Sequence, residues 1–284
     1  MNSPTGALRT VVVGSGRAGG SFAEALRSAG WQVDLVHHDE VASLDVATLA
    51  ADLPVGSGAD DPVQRAAVDL DVPAPRGDAA PDGVLVLLCV PDAHVAATAA
   101  SLVPAPGSLV AHCAGSLGLD VLGDHRARAS VHPLVAMPDT PTGARRLRGA
   151  WFAVSGDPRI RRVVDALGGT AVEVPDERRV AYHAAAVVAS NHLVALLGEV
   201  ERLAAVADVP LDAYLDLVRM TVDNVDELGP AAALTGPVSR RDWTTVRAHA
   251  VTMSDGDRAM YLDGVKAVAA LARVDLPDDL GTGR

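Results

Sequence analysis

Residues 8–36 read LRTVVVGSGRAGGSFAEALRSAGWQVDLV, and this stretch decides the fold. It begins with an apolar run, Leu8 to Val13, that is typical of a buried strand, and it continues through a glycine-rich turn, Gly14 to Gly20. Ser21 to Ala29 has the periodicity of a helix, and Trp31 to Val36 predicts a second strand. A strand, a turn, a helix and a strand within about thirty residues are the frame of a right-handed parallel crossover.

The turn of this unit contains a GxGxxG motif, and each of its glycines meets a different steric demand. Gly14 permits the tight turn, Gly16 lets the backbone approach a pyrophosphate, and Gly19 lets the helix pack close to the strand. The N-terminus of the helix then favours the anion. Because the motif stands between a strand and a helix, it predicts a dinucleotide site. The cofactor-binding residues assigned to it are Gly14, Ser15, Gly16, Arg17, Ala18 and Gly19.

The end of the second strand bears on the choice between NAD and NADP. Folds that prefer NAD place Asp or Glu there, whereas this chain has His37 and His38, followed by Asp39. The absence of a carboxylate at the strand end favours NADP, whose 2′-phosphate the two histidines could bind. Two solvated loop histidines are the alternative, and Asp39 could still reach the ribose and reverse the choice towards NAD.

A second cofactor contact is expected after the apolar run Val84 to Val90, which is typical of a central parallel strand. Ligands bind at the carboxyl ends of such strands, so Val90 and Pro91 are expected near the adenosine ribose. An ordinary helix N-cap at Asp92 is the alternative.

The alternation of strands and helices continues to about residue 174, and every later pattern predicts helix. Residues 40–82 carry only a weak helical pattern near 61–69. The expected fold is α/β, a doubly wound parallel Rossmann-type sheet followed by an all-helical C-terminal domain. The expected domains are residues 1–174 for the dinucleotide and residues 175–284 for substrate and dimerisation, with the substrate between them.

Composition narrows the class of protein further. A net charge of -12 argues against nucleic acid, which needs a basic face. Cys89 and Cys113 stand in apolar segments without metal-ligand spacing, which favours buried thiols, a reducing compartment and no metal. Residues 1–9 contain no apolar stretch long enough for a signal peptide, so no leader is expected, and no apolar run approaches the roughly 20 residues of a membrane span. A cytoplasmic protein that binds neither membrane nor nucleic acid is expected.

The second half of the chain carries two long motifs, YHAAAVVASN at residues 182–191 and LTGPVSRRD at residues 234–242. With His112-Cys113 and His132-Pro133-Leu134, they resemble a family of Rossmann-like oxidoreductases with a C-terminal helical domain of unknown function. That family is related to ketopantoate reductases, 3-hydroxyisobutyrate dehydrogenases and pyrroline-5-carboxylate reductases. The resemblance implies an NAD(P)-linked reductase. Members in GC-rich bacteria often lie beside pantothenate genes, which makes ketopantoate (2-dehydropantoate) the leading named substrate.

The candidate catalytic residues lie on the helix from residue 178. Arg179, His183 and Asn191 share a polar face of an otherwise Ala- and Val-rich helix by i, i+4 spacing. In the related hydroxyacid dehydrogenases a Lys-x-x-x-Asn pair on this helix donates the proton and holds the substrate, and the matching residues here are Arg179 and His183. Arginine is a poor acid but a good carboxylate clamp, whereas imidazole titrates near neutrality. Arg179 is therefore expected to clamp a carboxylate, His183 to donate the proton and Asn191 to orient the substrate.

Several alternatives remain open at this point. His132 or His112, each at a strand end, could be the acid instead of His183, and the polar face could be a buried helix–helix seam. Thr235 and Arg240 could close the substrate cleft, although a capping box from Ser239 to Asp242 explains that turn as well. The reaction could be reduction of a small anionic carbonyl compound or of an imine, or the chain could sense NADP without turnover. Because the helix from residue 178 is apolar around much of its circumference, a homodimer is expected.

Overall fold

The computed structural model describes residues 8–39, 83–103 and 106–281. The chain divides into two compact units, Met1–Val188 and Ala189–Arg284. The boundary lies inside the long helical stretch rather than after residue 174, because the first turns of that stretch pack on the sheet. The helical pattern near residues 61–69 lies outside the described residues.

Unit 1 is built on a seven-stranded sheet with the order β2-β1-β3-β4-β5-β6-β7. The strands are β1 Thr10–Val13, β2 Val33–Val36, β3 Leu85–Leu88, β4 Leu109–His112, β5 Ala127–Pro133, β6 Trp151–Gly156 and β7 Thr170–Glu173. Strands β1 to β5 run parallel, and β6 runs antiparallel to β5. The doubly wound Rossmann-type sheet is confirmed, with this one reversal. Among the described strands, the order reverses beside β1, which is where ligands bind in such sheets.

The sheet forms because its central strands are continuous apolar runs buried on both faces. Val11, Val13 and Leu88 contribute to one core layer, while Val12 and Leu87 contribute to the layer on the other face. This alternation follows from the period of two along a strand. The register aligns Val13, Leu88, His112 and Ser130 across four neighbouring strands.

The helices of unit 1 include one that sequence patterns missed. They are α1 Arg17–Ser28, α2 Asp92–Ser101, α3 Thr140–Leu147, α4 Arg161–Ala166 and α5 Arg179–Val187, with short 3₁₀ turns at Leu119–Leu122, Pro158–Ile160 and Asp176–Arg178. The missed helix is α3, which begins at an Asp139 cap that accepts a hydrogen bond from the backbone of Thr142 at 2.7 Å. A Pro follows this cap inside the first turn, which is a favourable start for a helix.

The long helical pattern from residue 178 is interrupted by a π-helical turn, Val188–His192, between α5 and α6 Leu193–Val206. A π turn holds more residues than an α turn, so the i, i+4 register of α5 does not continue past Val188. The predicted i, i+4 face therefore does not extend to Asn191, whereas Arg179 and His183 remain four residues apart within α5.

The segment Asp176–Val206 is also the one helical stretch, within the described ranges, long and apolar enough to cross a membrane. An 18-residue window within it has a mean hydropathy of 1.5, and none of that window is buried within the chain. The expectation that no segment approaches such a span is wrong by this measure. A helix that is apolar around its circumference also fits burial against another protein surface.

Unit 2 is helical, with α6, α7 Leu211–Leu228, α8 Pro230–Ala233, α9 Trp243–Val251, α10 Asp255–Ala272 and α11 Asp278–Gly281. Its small core joins Val238, Val246, Val265, Ala269 and Leu280. The cap of α9 is Asp242, which accepts from the Thr245 backbone at 3.2 Å, whereas the Ser239 hydroxyl donates to the Gly236 carbonyl. The expected capping box starting at Ser239 is therefore wrong, because the helix begins three residues later.

Candidate functional site

The glycine turn lies at the carboxyl edge of the sheet, between β1 and α1. Gly14 has φ +109°, and the backbone N–H of Gly14 donates to the Val36 carbonyl at 2.9 Å, which ties the turn to the end of β2. A Cβ on Gly19 would lie 1.7 Å from the Gly14 oxygen, so only glycine permits this packing. Gly16 has no heavy atom within 4 Å of a Cβ position, so its backbone is open to a ligand. Ser15, Gly16 and Arg17 are exposed beside it. The turn therefore has the shape that a pyrophosphate requires.

The segment after β3 lies directly against this turn. A Cβ on Gly14 would lie 2.6 Å from the Cys89 carbonyl oxygen and 3.3 Å from the Val90 nitrogen. Pro91 caps α2, while the Asp92 carboxylate accepts from the Ser116 hydroxyl at 3.2 Å. The alternative of an Asp92 N-cap is therefore wrong, and the expectation that Val90 and Pro91 lie near the adenosine ribose stays a prediction.

The two cysteines occupy neighbouring positions at the ends of β3 and β4. Both are free thiols; Cys89 is buried and Cys113 is partly exposed. A hydrogen bond with Cys113, together with burial, raises the pKa of the Cys89 thiol. Protonated thiols of this kind behave as small apolar groups.

A group of imidazoles follows β2 on the surface. His37 Nδ1 lies 3.2 Å from Asp39 Oδ2, and His38 Nε2 lies 3.1 Å from Asp39 Oδ1. The rings of His37 and His38 are 4.4 Å apart, and that of His94, from the first turn of α2, is 6.4 Å from His38. Both histidines after β2 are nearly half exposed. We call His37, His38, Asp39 and His94 the outer histidine group.

A second group of imidazoles lies at the carboxyl ends of β4 and β5. The His112 side chain is fully buried, and its Nε2 donates to the Gly118 carbonyl at 3.2 Å, which leaves the buried Nδ1 without a partner. Burial, reinforced by the positive charge of Arg179, lowers the pKa of His112 to about 4. His132 also has its pKa lowered to about 4, by burial first and then by the charges of His183 and Arg179. Both rings are therefore neutral at pH 7.

Helix α5 brings two more side chains to this group. The Tyr182 hydroxyl is 2.7 Å from His132 Nδ1, and burial raises the pKa of Tyr182 to about 12. The ring of His183 lies edge-on to His132 with 5.6 Å between centroids, and its Nδ1 is buried without a hydrogen-bond partner. A Cβ on Gly115 would lie 2.3 Å from His183 Nδ1 and 2.9 Å from His132 Nε2. We call His112, His132, Tyr182 and His183 the inner histidine group; it places an unpaired imidazole nitrogen beside the loop that follows β4.

The Arg179 side chain lies inside the protein, against β5 and β6, and is not open to a ligand. Its side chain is fully buried, and its guanidinium donates to the Ser130 hydroxyl, to the Ser155 hydroxyl at 3.3 Å and to the Ala114 carbonyl at 3.4 Å. The Asp176 carboxylate lies 3.7 Å from its Nε. This geometry does not support the expected carboxylate clamp. A buried guanidinium held by two strands is a structural cation, and its charge keeps protons off the two neighbouring histidines.

The other predicted site residues are distributed as follows. Asn191 lies in unit 2, where its side-chain oxygen accepts from the Ser190 hydroxyl at 3.0 Å. Sequence reasoning missed Tyr182, Gly115 and His94. Tyr182 is adjacent to His183 in the YHAAAV motif, so the motif could have identified Tyr182 as a candidate site residue. Gly115 and His94 become site residues only through the folding of distant segments onto one sheet edge.

The described residues also include one group whose spacing could hold a cation. This group consists of His37, His38 and Asp39, each of which offers one ligand atom. The three atoms lie within 4.8 Å of one another, and all three residues are exposed. The expectation that the chain binds no metal stays a prediction.

Comparisons with known proteins agree with this architecture. Residues 151–267 match DUF2520, a domain of unknown function. No protein of curated function matches the sequence. Among solved structures, protein TM1727 of Thermotoga maritima is 23% identical with a TM-score of 0.61, over 93% of this chain and 98% of that one. A Bacteroides fragilis protein assigned as an NADP oxidoreductase is 17% identical with a TM-score of 0.67, over 93% and 99%.

A third solved structure is pyrroline carboxylate reductase of Plasmodium falciparum with NADP bound. It is 11% identical with a TM-score of 0.52, over 97% of this chain and 98% of that one. At these identities the likeness concerns the fold. The chain therefore has the Rossmann-like fold of these structures followed by a helical C-terminal half, and its residues 151–267 match the DUF2520 domain model.

Proposed function

We propose that the protein is an NADPH-dependent reductase of a small, carboxylate-bearing carbonyl compound, with ketopantoate as the best candidate substrate. The main support for the proposal is that the glycine turn and the inner histidine group lie at the same edge of the sheet. The glycine turn after β1 and the inner histidine group after β4 and β5 both lie at the carboxyl ends of parallel strands in the same compact unit. That edge is where doubly wound sheets bind dinucleotides and place their chemistry.

The cofactor assignment rests on the fit of the glycine turn. Gly14, Gly16 and Gly19 leave room for a pyrophosphate, and α1 directs its N-terminal amides there. The solved relative of P. falciparum holds NADP on the same type of fold. NADP is therefore the proposed cofactor, with NAD as the second possibility. When bound, it would supply the hydride.

The side chains of this chain would manage the proton. His183 is the proposed donor, because its Nδ1 has no hydrogen-bond partner and its ring lies beside His132 at the carboxyl ends of the strands. His112 and His132 fit the donor role less well, since each has a pKa of about 4 and is neutral at pH 7. Burial first, and then the charge of Arg179, lowers the pKa of His112, and the same charge contributes to the lowered pKa of His132.

An imine substrate is the second candidate, as in the pyrroline carboxylate reductases that share this fold. The neutral state of His112 and His132 favours it, because an imine that arrives protonated needs no acid from the protein. Binding without turnover would instead favour an NADP-binding sensor. The feature that supports the sensor is Arg179, a buried arginine at the position where the related dehydrogenases have a catalytic lysine.

The test begins with fluorescence titration of the protein with NADPH and NADH. Oxidation of NADPH is then followed with ketopantoate and with pyrroline-5-carboxylate. We expect NADPH to bind and ketopantoate to be reduced. Turnover of the imine alone would move the assignment to imine reduction, and binding of neither cofactor would overturn the proposal.

A matched pair of glycine variants makes the binding test specific. Gly19→Ala places a Cβ against the Gly14 carbonyl, so we expect a loss of NADPH affinity of at least about tenfold. Gly264→Ala, in the middle of α10, meets no atom within 4 Å and is expected to bind NADPH normally. Circular dichroism of both variants verifies that they fold.

We also propose that the chain is a cytoplasmic homodimer that buries apolar surface of α6 and α7. Val194 is 70% exposed, Leu217 55% and Leu228 58%, which is a large apolar area for a soluble surface. Sedimentation equilibrium should give a dimer for the wild type and a monomer for Val194→Asp. Val251→Asp, at a 78% exposed valine of α9, is the control. A monomeric wild type that floats with liposomes would support a membrane helix instead.

A further inference from the structure

We propose that Cys89 and Cys113 are a redox-active pair, in which a reversible disulfide closes beside the glycine turn and lowers the affinity for the dinucleotide. The effect on affinity rests on the proposed NADPH binding, whereas closure of the disulfide does not depend on it. These are the two cysteines of the chain, both are free thiols, and the proposed reaction uses neither of them.

The sheet places the two cysteines opposite each other. The parallel register of β3 and β4 ends at the pair Leu88 and His112, and each cysteine is the residue that follows its strand. The Cys113 backbone N–H donates to the Leu88 carbonyl at 3.2 Å, so the two segments stay paired beyond the strand ends. Opposed residues of neighbouring strands have Cα atoms roughly 4.8 Å apart, within the range of about 4.4 to 6.8 Å that a disulfide requires.

Both cysteine side chains point to the same face of the sheet. Leu87 and Ala111, two residues earlier on each strand, belong to the core layer that contains Cys89, and Cys113 packs against the same layer. This follows from the period of two along a strand. The two thiols form a hydrogen bond with each other. The sulfur atoms can therefore meet without any change in the register of the strands.

An oxidant reaches the pair from the Cys113 side, because Cys113 is partly exposed and Cys89 is buried. The Cys113 thiolate attacks a low-molecular-weight disulfide, such as oxidised glutathione, to form a mixed disulfide, and one glutathione leaves. The Cys89 sulfur then attacks the Cys113 sulfur, and the Cys89 proton passes to the second glutathione as it leaves. One S–S bond of the protein replaces that of the oxidant: the two cysteines are oxidised, and the oxidant is reduced to two thiols.

The reduced form is the resting state of this pair. Burial and the hydrogen bond with Cys113 raise the pKa of the Cys89 thiol, so Cys89 stays protonated until its partner has been oxidised. In a reducing compartment, disulfides are usually transient and redox-sensing. The bond is therefore expected to form when oxidised small thiols accumulate and to open again when they are reduced.

Closure of the disulfide acts on the glycine turn through Cys89. A Cβ on Gly14 would lie 2.6 Å from the Cys89 carbonyl oxygen, and a Cβ on Gly19 would lie 3.2 Å from the Cys89 Cβ, so Cys89 packs directly against both glycines. A disulfide holds its sulfur atoms about 2 Å apart, which draws Cys89 towards β4. Because this packing leaves little spare room, the backbone amides of the turn would shift with Cys89 and lose their alignment with a pyrophosphate.

The first experiment follows closure of the disulfide without any cofactor. The whole chain is incubated with oxidised glutathione, its remaining thiols are counted in denaturant, and mass spectrometry of the intact chain and of its peptides identifies the bond. We expect both thiols to disappear, the chain to lose the mass of two hydrogen atoms, and one peptide pair to join Cys89 to Cys113. Glutathione adducts alone, or a bond between two copies of the chain, would overturn the inference.

The second experiment measures the dissociation constant of NADPH by fluorescence titration of the reduced, the oxidised and the re-reduced protein. We expect oxidation to raise this constant at least about tenfold, the effect of losing one hydrogen bond to a charged phosphate, and dithiothreitol to restore it. Cys113→Ser and Cys113→Ala leave only the buried Cys89, so each should keep its thiol and its NADPH affinity in oxidised glutathione. Having two such variants protects the test if one of them folds poorly.

The outcomes separate this inference from the proposed function. A reduced protein that binds neither NADPH nor NADH would overturn the reductase, while a bond between Cys89 and Cys113 in the same sample would still establish the redox pair. A disulfide that leaves the NADPH constant unchanged would overturn the coupling to the glycine turn. A rise in that constant that also occurs in Cys113→Ser would assign the effect to another residue and contradict the inference.

Discussion

The inner and outer histidine groups occupy the same sheet edge but differ in almost every physical respect. His112 and His132 are enclosed near a buried guanidinium, so burial and charge keep them neutral. His37 and His38 are nearly half exposed and lie beside the Asp39 carboxylate. The comparison teaches that residue type alone does not assign a histidine its role.

The largest effect is expected at the inner group when its proposed donor is removed. His183→Asn should reduce kcat/KM with ketopantoate by about 10²- to 10³-fold, because a positioned acid contributes this much. The dissociation constant of NADPH should change less than about twofold, since the outer group and the glycine turn are untouched. Steady-state kinetics and titration on the same preparation provide both values.

A normal rate in His183→Asn would contradict the donor assignment. If the rate with an imine substrate is also normal, the imine alternative gains support, because that substrate can bring its own proton. His249→Ala, at an exposed histidine of unit 2, is the matched control and should retain turnover.

The second effect concerns stability in acid. Because the folded-state pKa of His112 is lowered from about 6.5 to about 4, the folded protein disfavours the protonated ring. The stability that this neutral ring contributes is fully present above pH 6.5 and is lost as the pH falls towards 4. The expected loss is roughly 3 kcal/mol for one such histidine. Urea unfolding of the wild type between these pH values measures it.

Replacement of the ring shows whether His112 causes the loss. His112→Gln keeps a side-chain N–H for the Gly118 carbonyl and removes the titrating group, so its unfolding free energy should fall less steeply with acid. Equal slopes for variant and wild type would place the acid sensitivity elsewhere. His132→Asn provides an independent repeat, because His132 has the same lowered pKa.

The smallest effect is expected at the hydrogen bond between Tyr182 and His132. Tyr182→Phe should lower stability by about 1 kcal/mol and the rate by up to about tenfold, through loss of one buried hydrogen bond that orients a ring. Tyr261→Phe is a close control, because Tyr261 and His249 form the same kind of pair at 2.9 Å in unit 2, where both are less buried. An equal loss of rate in both variants would mean that Tyr182 acts only through general stability.

The sequence predicts much of unit 1 because its signals are local. A buried parallel strand is a continuous apolar run, and the turn after β1 needs glycine wherever Cβ atoms would collide. These signals located β1, α1 and β3 to within a few residues. The antiparallel direction of β6 and the Asp139-capped helix α3 were missed. The direction of a strand depends on the path of the chain between strands, which periodicity does not describe.

The sequence by itself determined the fold class, the glycine turn and the set of histidines, since strand burial, steric demand and residue identity are all local properties. Only the tertiary structure decided what those side chains do. It turned Arg179 inward onto Ser130 and Ser155, paired Tyr182 with His132, and placed His94 beside His38. The physical reason is that burial and neighbouring charge set the protonation state and partners of a side chain, and both come from residues distant in the sequence.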